Sequence, residues 1–546
     1  MKRESFVFTD TFPRGTPLQG WMKEDHGYSS NWHKSKVGLL IQDGREPENA
    51  GGWSAFLVAG SDGARDICVE ADIRQLGDAG GSSVGVIVGH GDGENYLRYE
   101  ERKDYQDGGN RFRRLVRVRG GEEELLRSDA YQTDYIPTDI YYRITERIRM
   151  EHLGGRLRVW HDHILLWDLD LEGEICGGVG LYCAGAGIMA CQSFDVREIE
   201  EIDEVHFQKL PYLQNPAGNS VTVMWETSEV SGSDVEYGID GSLDSVERGE
   251  PGAIHNVRLT DLAPGRRYSY RVKSGGHSSP IADFTTPDER TSLRFCVYGD
   301  THCTDVASRV AEAIEGESPD FVICVGDAVG NGRLYSHWNR YFKSMAGLFS
   351  KVPSYHAVGN HDGTAGDAAL AAWFYRYMSH PGYTDHYAFT RGDCRFVVLD
   401  NYELIGPGSQ QYEWLVGELE GEDFQDARFR LAFFHEPPYC VGWGIQSYDG
   451  NPEARAVLLP LLRENGVDVI FCGHCHDYER ADLDGVHLVI TGGGGGTLDE
   501  RCYDVDRFRA YADIFHYVVV DIDGDELSSR AVSLDGKTFD RFKITR

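Results

Sequence analysis

The chain has 546 residues, too many for one hydrophobic core, because single cores stop growing near ~250–300 residues. We therefore expect two to four folded domains. The formal net charge of -34 argues against general binding to nucleic acid or anionic membranes, since both rely on lysine and arginine, so neither is predicted as a partner.

The first residues and the cysteines predict a cytoplasmic protein. No apolar run follows Lys2 and Arg3, so no signal peptide is visible, and no stretch of apolar residues is long enough to span a membrane. The cysteines are scattered without the spacing of a disulfide framework, which favours a reducing compartment. A secreted protein that has lost its leader stays an alternative.

Residues 1–202 show the alternation of half-buried antiparallel strands. Leu157 and Val159 alternate with arginines directly after the turn Gly154-Gly155. Repeated over most of this region, the pattern predicts a β-sandwich or jelly roll. The region also resembles concanavalin-like and laminin-G-like domains in its segments 8–12, 84–88, 95–97 and 178–182.

The ligand of this first domain stays open. Trp21, Trp32 and Trp53 either form a surface that stacks on sugars or pack into the core, which is the commoner use of tryptophan in small sandwiches. A carbohydrate or a protein is the partner to test. The oligomeric state is not encoded in any pattern we recognise.

Residues 205–288 predict a second, smaller β-sandwich. Residues 220–225 alternate and place Trp225 to fill a core. Tyr268 follows the segment 262–265, in the arrangement of a tyrosine corner. This region resembles a fibronectin type III domain.

Residues 292–546 change in character to apolar strands that alternate with helical stretches. Residues 293–298 and 321–325 are short apolar runs that each end at a Gly-Asp pair, and residues 306–315 between them predict a helix. Continuous apolar strands separated by helices indicate a mixed sheet covered on both faces.

Polar motifs follow five of the apolar runs in this last region. They contain carboxylate, imidazole and amide groups, each next to a turn or a strand end. In chain order they are Gly299-Asp300-Thr301-His302, Gly326-Asp327, Gly359-Asn360-His361-Asp362, His435 and Gly473-His474-Cys475-His476.

The shared position of these motifs predicts one site. Loops at the carboxyl ends of strands converge in an α/β sheet, and glycine lets the backbone turn so that the next side chain points inward. Imidazole, carboxylate and amide oxygen together suit Mn, Fe, Zn or Co. Any one such residue is commonly an ordinary loop residue, but five motifs in order indicate a site for two ions.

The set of motifs is similar to that of the calcineurin-like metallophosphoesterase superfamily. The resemblance covers residues 292–546 and implies a four-layer α/β/β/α domain after the two β-sandwiches. It implies that one metal ion is held by Asp300, His302, Asp327 and His476. It implies that the other is held by Asp327, Asn360, His435 and His474. His361 would then be a catalytic residue beside the ions, and Asp362 would orient it.

Within the superfamily the surroundings resemble purple acid phosphatases. The segment 473–480, the segment 387–389 and the fibronectin-like domain carry this likeness. Two departures stand out: Gly330 occupies the position of that family's tyrosine ligand, and His302 is present where the family has no ligand histidine. We therefore predict a centre without tyrosinate-to-iron colour.

The resulting functional prediction is hydrolysis of phosphate esters by a dinuclear site, with His361 protonating the leaving oxygen. Asn360, His361 and Arg333 are the candidates for binding substrate. A phosphodiesterase acting on cyclic nucleotides or other diesters is the first alternative. A carbohydrate- or protein-binding protein with an inert phosphoesterase-like domain is the second.

Overall fold

A computed structural model gives the fold of the chain as two compact units, Met1–Glu204 and Val205–Arg546. It describes residues 7–10, 21–26, 31–34, 40–42, 54–59, 66–76, 83–103, 111–131, 145–161, 164–171, 176–184, 189–199, 205–288, 292–332, 335–363, 372–383, 385–442, 448–502 and 505–546. None of the described helices has both the length and the apolar character needed to cross a membrane.

The first unit is built from antiparallel strands. They are β1 (Val7–Asp10), β2 (Trp21–His26), β3 (Trp32–Lys34), β4 (Leu40–Gln42), β5 (Ser54–Ala59), β6 (Ile67–Gln75), β7 (Ser83–Asp92), β8 (Asn95–Lys103), β9 (Arg111–Arg119), β10 (Glu122–Tyr131), β11 (Glu146–Leu153), β12 (Arg156–His161), β13 (Ile164–Asp170), β14 (Gly178–Ala184) and β15 (Met189–Glu198). The predicted Gly-Gly turn is present: Gly154 and Gly155 have φ of 59° and 90°, a conformation that glycine adopts without steric cost.

These strands form the two sheets of a β-sandwich. Sheet A has the order β13-β12-β11-β6-β15-β4-β3, with β1 also paired to β15, and sheet B has the order β10-β9-β8-β7-β14-β5-β2. Apolar side chains from both sheets pack into one core, and Trp21 and Trp32 pack against it. Of the two alternatives for the tryptophans, core packing therefore applies to these two, whereas Trp53 lies outside the described residues.

The second unit begins with strands and continues with alternating strands and helices. Its strands are β16 (Phe207–Ala217), β17 (Ser220–Ile239), β18 (Ser245–Leu259), β19 (Arg267–Ser274), β20 (His277–Ser278), β21 (Ala282–Thr285), β22 (Ser292–Tyr298), β23 (Phe321–Cys324), β24 (Ser354–His356), β25 (Tyr387–Arg391), β26 (Cys394–Val398), β27 (Phe429–Phe433), β28 (Val469–Cys472), β29 (Tyr478–Leu483), β30 (Val486–Thr491), β31 (Phe508–Ala512), β32 (His516–Asp523), β33 (Glu526–Ser533) and β34 (Thr538–Thr545). Its helices are α1 (Asp305–Glu317), α2 (Tyr335–Phe349), α3 (Ala372–Tyr377), α4 (Gln410–Glu420), α5 (Glu422–Gln425), a π-helical turn (Ala454–Leu458) and α6 (Leu459–Glu464).

Strands β16–β21 enclose a separate small core, as the fibronectin-like pattern predicts. Trp225 is fully buried in it, and the Ala263 amide donates to the Tyr268 hydroxyl at 2.8 Å, which is the bond of a tyrosine corner. One feature differs from the expected separate sandwich. Strand β16 pairs with β24 at Gln214 and Ser354. Strands β16–β21 therefore belong to the same sheet as β22, β23 and β24.

The remaining strands and helices form the predicted four layers. Sheet C runs β20-β19-β17-β16-β24-β23-β22-β32-β33-β34, and sheet D runs β25-β26-β27-β28-β30-β29-β31. Aromatic residues of both sheets, such as Phe295 and Phe433, whose rings meet edge to face, pack in a core that the two sheets share. Helices α1–α3 cover the other face of sheet C, and α4–α6 cover the other face of sheet D.

Candidate metal centre

Each predicted ligand lies just beyond the carboxyl end of a strand. Strands β22 and β23 are parallel, with Tyr298 opposite Cys324, so the turns that carry Asp300 and Asp327 leave sheet C side by side. Strands β27 and β28, which precede His435 and His474, are parallel neighbours in sheet D. The carboxyl ends of these two strand pairs therefore deliver carboxylates and imidazoles to one place.

The backbone is strained where the ligands leave the strands. Asp300, His302, Asp327 and His474 have φ values of 56°, 46°, 50° and 72°. A non-glycine residue rarely adopts this left-handed conformation, and such outliers cluster at functional sites. The surrounding turns hold these four residues against a local cost of order 1–3 kcal/mol each.

Two overlapping groups of side chains could each hold a metal ion. Ligand atoms lie within 4.8 Å of one another in the set Asp300, His302 and His476, and also in the set Asp300, Asp327 and His435. A third set, His302, Asp327 and His361, overlaps both. Asp327 Oδ2 lies 3.3 Å from His435 Nε2 and 3.7 Å from His302 Nε2, so this carboxylate lies between the two groups.

Backbone carbonyls fix the tautomer of three histidines. His435 Nδ1 donates to Val325 O at 2.7 Å, His476 Nδ1 donates to Thr497 O at 2.7 Å, and His361 Nδ1 donates to Gly330 O at 2.9 Å. A carbonyl oxygen can only accept, so Nδ1 carries a proton and Nε2 is the nitrogen that faces the carboxylates. This is the arrangement in which imidazole binds a metal ion.

The electrostatics of the buried groups point to missing positive charge. Burial raises the pKa of Asp300 well above its usual value. Burial also acts to raise the pKa of Asp327, but the neighbouring imidazoles of His435 and His361 outweigh it and hold that pKa well below its usual value. Burial lowers the pKa of His435, and Asp327 and Asp300 overcome this and raise it to about 10. The site therefore attracts a cation.

The chemistry of the donor set fits two transition-metal ions. Burial holds the pKa of His302 and of His474 well below the usual value, so both rings are neutral, the form that binds metal. His302 Nδ1 is buried and has no hydrogen-bond partner among the described residues. His302 Nε2 donates to His476 Nε2 at 3.0 Å, because His476 Nδ1 already carries its proton, and a cation held by both nitrogens would replace this hydrogen bond. The residues present therefore fit the predicted centre.

The glycine run 492–496 closes one side of the site. A Cβ on Gly492 would lie 2.9 Å from Asp300 Oδ2, and a Cβ on Gly496 would lie 2.6 Å from the His476 ring. Real Cβ atoms do not approach other atoms so closely, so only glycine allows the backbone to pass here. The segment packs directly against the predicted ligands.

Asp362 does not hold the His361 ring, and that part of the prediction is wrong. Its two oxygens accept from the backbone amides of Val329 and Gly359, both at 3.1 Å. Gly330 O holds His361 Nδ1 instead. Asp362 therefore braces the two turns that carry the site, and burial beside Asp327 raises its pKa to about 8.

The predicted substrate residues are placed as follows. Asn360 Oδ1 lies 3.1 Å from His474 Nδ1, on the side of the second predicted ion. His361 Nε2 lies 4.0 Å from Asp327 Oδ2, and its side chain is 13% exposed, so it reaches the opening of the site. Arg333 lies outside the described residues.

Three side chains at the site were not predicted. The Tyr402 hydroxyl donates to Asn360 Oδ1 at 3.1 Å, and the Tyr448 ring packs edge-on against His474 at 5.4 Å between centroids. Glu436 Oε1 lies 3.6 Å from His474 Nε2. Only Glu436 carried a signal in the sequence, because it directly follows His435; the tyrosines belong to no motif.

The four-layer fold, with the predicted metal ligands beyond the carboxyl ends of its strands, is that of a metallophosphoesterase domain. Residues 293–478, which contain every predicted ligand, match the family of calcineurin-like phosphoesterases. The chain carries a calcineurin-like phosphoesterase domain, and this resemblance is confirmed. The family implies a dinuclear metal centre.

The particular relatives are purple acid phosphatases. Residues 210–286 match the N-terminal domain of purple acid phosphatases. Purple acid phosphatase 21 of Arabidopsis thaliana is 28% identical over 261 residues, which are 45% of this chain and 59% of that protein. Purple acid phosphatase 22 of the same plant is 27% identical over 304 residues, which are 50% of this chain and 68% of that protein. The chain therefore spans about 60% of the first relative's length.

A solved structure shows the same fold. Purple acid phosphatase PPD1 from yellow lupin seeds superposes with a TM-score of 0.59 over 91% of this chain and 93% of that chain. Its sequence identity is 15%, so the likeness concerns the fold alone.

Proposed function

We propose that this chain hydrolyses phosphate esters with a dinuclear metal centre at the ends of β22, β23, β27 and β28. The observation that carries the proposal is the position of Asp327. Its buried carboxylate lies between His435 and His302, which belong to the two different ligand groups. A carboxylate between two ligand groups can hold two ions at the short separation of a two-metal hydrolase, ~3.5–4 Å.

The proposed ligands divide as the family resemblance implies. Asp300, His302, Asp327 and His476 would hold one ion. Asp327, Asn360, His435 and His474 would hold the other. Nitrogen and oxygen donors together favour Fe, Mn, Zn or Co as the metals. When bound, the ions supply Lewis acidity at the phosphate and lower the pKa of water.

His361 is the proposed proton donor to the leaving oxygen. Its Nδ1 is engaged by Gly330 O, so Nε2 is the atom that takes up and releases a proton at the opening of the site. Asn360 and Arg333 stay the proposed partners of the substrate phosphate. With Gly330 in place of the tyrosine ligand, we expect no tyrosinate-to-iron absorption band.

The domain boundaries and the partner of the first domain are further proposals. We propose three domains, 1–202, 205–288 and 292–546, with the first binding a carbohydrate or a protein. Separate cores in the sandwich and around β16–β21 support this division. The cytoplasmic compartment stays a prediction.

The test compares a phosphomonoester and a phosphodiester chromogen on apo-protein reloaded with Mn, Fe, Zn or Co. Asp327→Asn should bind less metal and lose turnover, and the wild-type ratio of the two rates distinguishes a phosphatase from a diesterase. Asp468→Asn is the control, because Asp468 is also buried but precedes β28 at the opposite end of the strand from His474. Equal loss in both variants, or no hydrolysis by folded wild type with any metal, would refute the proposal.

A further inference from the structure

Glu436 lies against His474 on the side away from Asn360. It directly follows His435 after β27, and its side chain is 16% exposed. Its Oε1 is 3.6 Å from His474 Nε2, whereas the other ring nitrogen, Nδ1, is 3.1 Å from Asn360 Oδ1. The imidazole therefore stands between a carboxylate and an amide oxygen.

The structure holds Glu436 rigidly in this place. Its Oε1 accepts from the Tyr448 hydroxyl at 2.7 Å, and its Oε2 accepts from Asn451 Nδ2 at 2.6 Å. Asn401 bonds its backbone twice, accepting from the amide at 3.2 Å and donating to the carbonyl at 2.8 Å. Both carboxylate oxygens and both backbone polar groups of Glu436 are therefore hydrogen-bonded.

His474 differs from the three histidines whose tautomer is fixed by the main chain. In His435, His476 and His361, a backbone carbonyl accepts from Nδ1 and Nε2 faces the centre. In His474 the order of the nitrogens is reversed, because Nδ1 faces Asn360 and Nε2 faces Glu436. The group beside His474 Nε2 is the side chain of Glu436 and not a backbone carbonyl, so mutation can remove it.

We propose that Glu436 is the positioning residue of His474, an inference that rests on the proposed dinuclear centre. In this structure His474 Nδ1 donates to Asn360 Oδ1. An ion bound at Nδ1 would displace that proton, and the negative charge of Glu436 would favour the tautomer with the proton on Nε2, which frees Nδ1 for the ion. At 3.6 Å the contact is longer than a hydrogen bond, and it acts through charge and through the orientation of the ring. The Tyr448 ring, packed edge-on at 5.4 Å, limits rotation of the imidazole.

The expected consequence is a weaker hold on one of the two ions. Partners that orient a metal-binding histidine are typically worth ~10–100-fold in metal affinity. Glu436→Ala should lower one of the two stepwise affinities by this factor and leave the other unchanged. Glu436→Gln keeps an acceptor for Tyr448 and should lose less, and Tyr448→Phe should weaken the same ion by a smaller factor still.

The experiment is calorimetric titration of the full-length apo-protein with Mn²⁺ and, separately, with Zn²⁺. Melting of each apo-variant is recorded alongside. Glu418→Gln is the matched control. Glu418 lies on α4, away from the site; its side chain is 13% exposed and forms an ion pair with Arg395 of β26. An effect confined to one ion, with the melting of the apo-variants unchanged, supports the inference.

The other outcomes overturn it in distinguishable ways. Two unchanged affinities in Glu436→Ala, or an equal fall in both, would overturn the role of Glu436 while leaving the dinuclear centre intact. A wild-type chain that binds fewer than two ions would overturn the dinuclear centre and this inference together.

Discussion

Two buried clusters in this molecule contain the same kinds of side chain but differ in hydrogen bonding and charge. In the first unit, His161 Nε2 lies 3.2 Å from Glu101 and 3.3 Å from Glu146. In the second, His435 Nε2 lies 3.3 Å from Asp327 and 3.9 Å from Asp300. Each is a histidine with two carboxylates, and by proximity alone each could hold an ion.

The group at the other ring nitrogen separates the two clusters. Arg113 Nη1 lies 3.0 Å from His161 Nδ1, and because a guanidinium can only donate, Nδ1 must accept and Nε2 must carry the proton toward the glutamates. Val325 O accepts from His435 Nδ1, so there Nε2 faces the aspartates and is the nitrogen that a metal ion can bind in place of a proton. The first cluster contains its own cation and an imidazole with no lone pair left for a metal.

Charge gives the same distinction. Within the described part of the chain, no lysine or arginine forms an ion pair with Asp300 or Asp327, and only histidines approach them. Imidazoles alone offset these buried carboxylates, and burial still raises the pKa of Asp300, so the proposed metal ions would complete the cluster. Proximity of ligand types is therefore a weak criterion for a metal site, and the direction of the ring protons is a stronger one.

The largest effect that tests this contrast is the removal of metal. Chelation should abolish turnover and destabilise residues 205–546 by about 4 kcal/mol per ion, for ions present at ~1,000 times their dissociation constant. Residues 1–204 should be unaffected. Hydrogen exchange followed by mass spectrometry, with and without chelator, reports on the two units separately. Loss of protection in β11 and β12 on chelation would contradict the comparison.

The next effect concerns a histidine that faces the centre but is not a proposed ligand. His361→Ala should keep two ions per chain while turnover falls by ~10²–10⁴, because the proton donor is lost. Metal content by mass spectrometry and steady-state rates check this. His487→Ala, half-buried beside Phe542 at the start of β30, is the control and should change neither quantity. An unchanged rate in His361→Ala would refute the assigned role.

The third test removes the cation of the cluster around His161. Arg113→Met should lower the free energy of unfolding of the first unit by about 3–5 kcal/mol, because it removes the buried cation beside His161 and leaves the charges of the buried Glu101 and Glu146 less compensated. Turnover and metal content should not change. Arg117→Met on the same strand removes only a contact of 3.6 Å to the exposed Glu124 and should cost about 1 kcal/mol or less. Equal losses in the two variants would show that Arg113 is an ordinary surface partner.

The ligands were predictable because each motif is local. A glycine, a strand end and a polar residue lie within a few positions, and the topology of an α/β sheet then brings the strand ends together. Tyr268 was predictable for the same reason, since its bond to Ala263 closes over five residues.

The features that sequence reasoning missed depend on single contacts between distant segments. Asp362 and Gly330 both lie near His361, and no pattern says which of them meets its ring nitrogen. Tyr402 reaches Asn360 across a long stretch of chain and carries no motif. The joining of sheet C rests on one pairing, between Gln214 and Ser354. Each of these needs coordinates, because spacing along the chain does not determine it.

A third buried cluster contains the carboxylate of Glu226, which is partnered by a cation whose charge depends on pH. Lys209 Nζ donates to Glu226, to Asn339 and, at 3.0 Å, to the Tyr377 hydroxyl, and it lies 4.4 Å from the centre of the Tyr335 ring. Burial lowers the pKa of Lys209 from 10.5 to about 8, although Glu226 opposes the shift.

This cluster gives the smallest expected effect. Between pH 8 and pH 10.5 the unfolded chain keeps the Lys209 proton that the folded chain has lost, so stability should rise with pH in that window, by about 3 kcal/mol in total. Denaturant unfolding at several pH values compares wild type with Lys209→Met/Glu226→Gln, in which the groups that titrate elsewhere are unchanged. The difference between the two curves should carry the slope, whereas parallel curves would mean that the Lys209 charge is as well accommodated in the fold as in water.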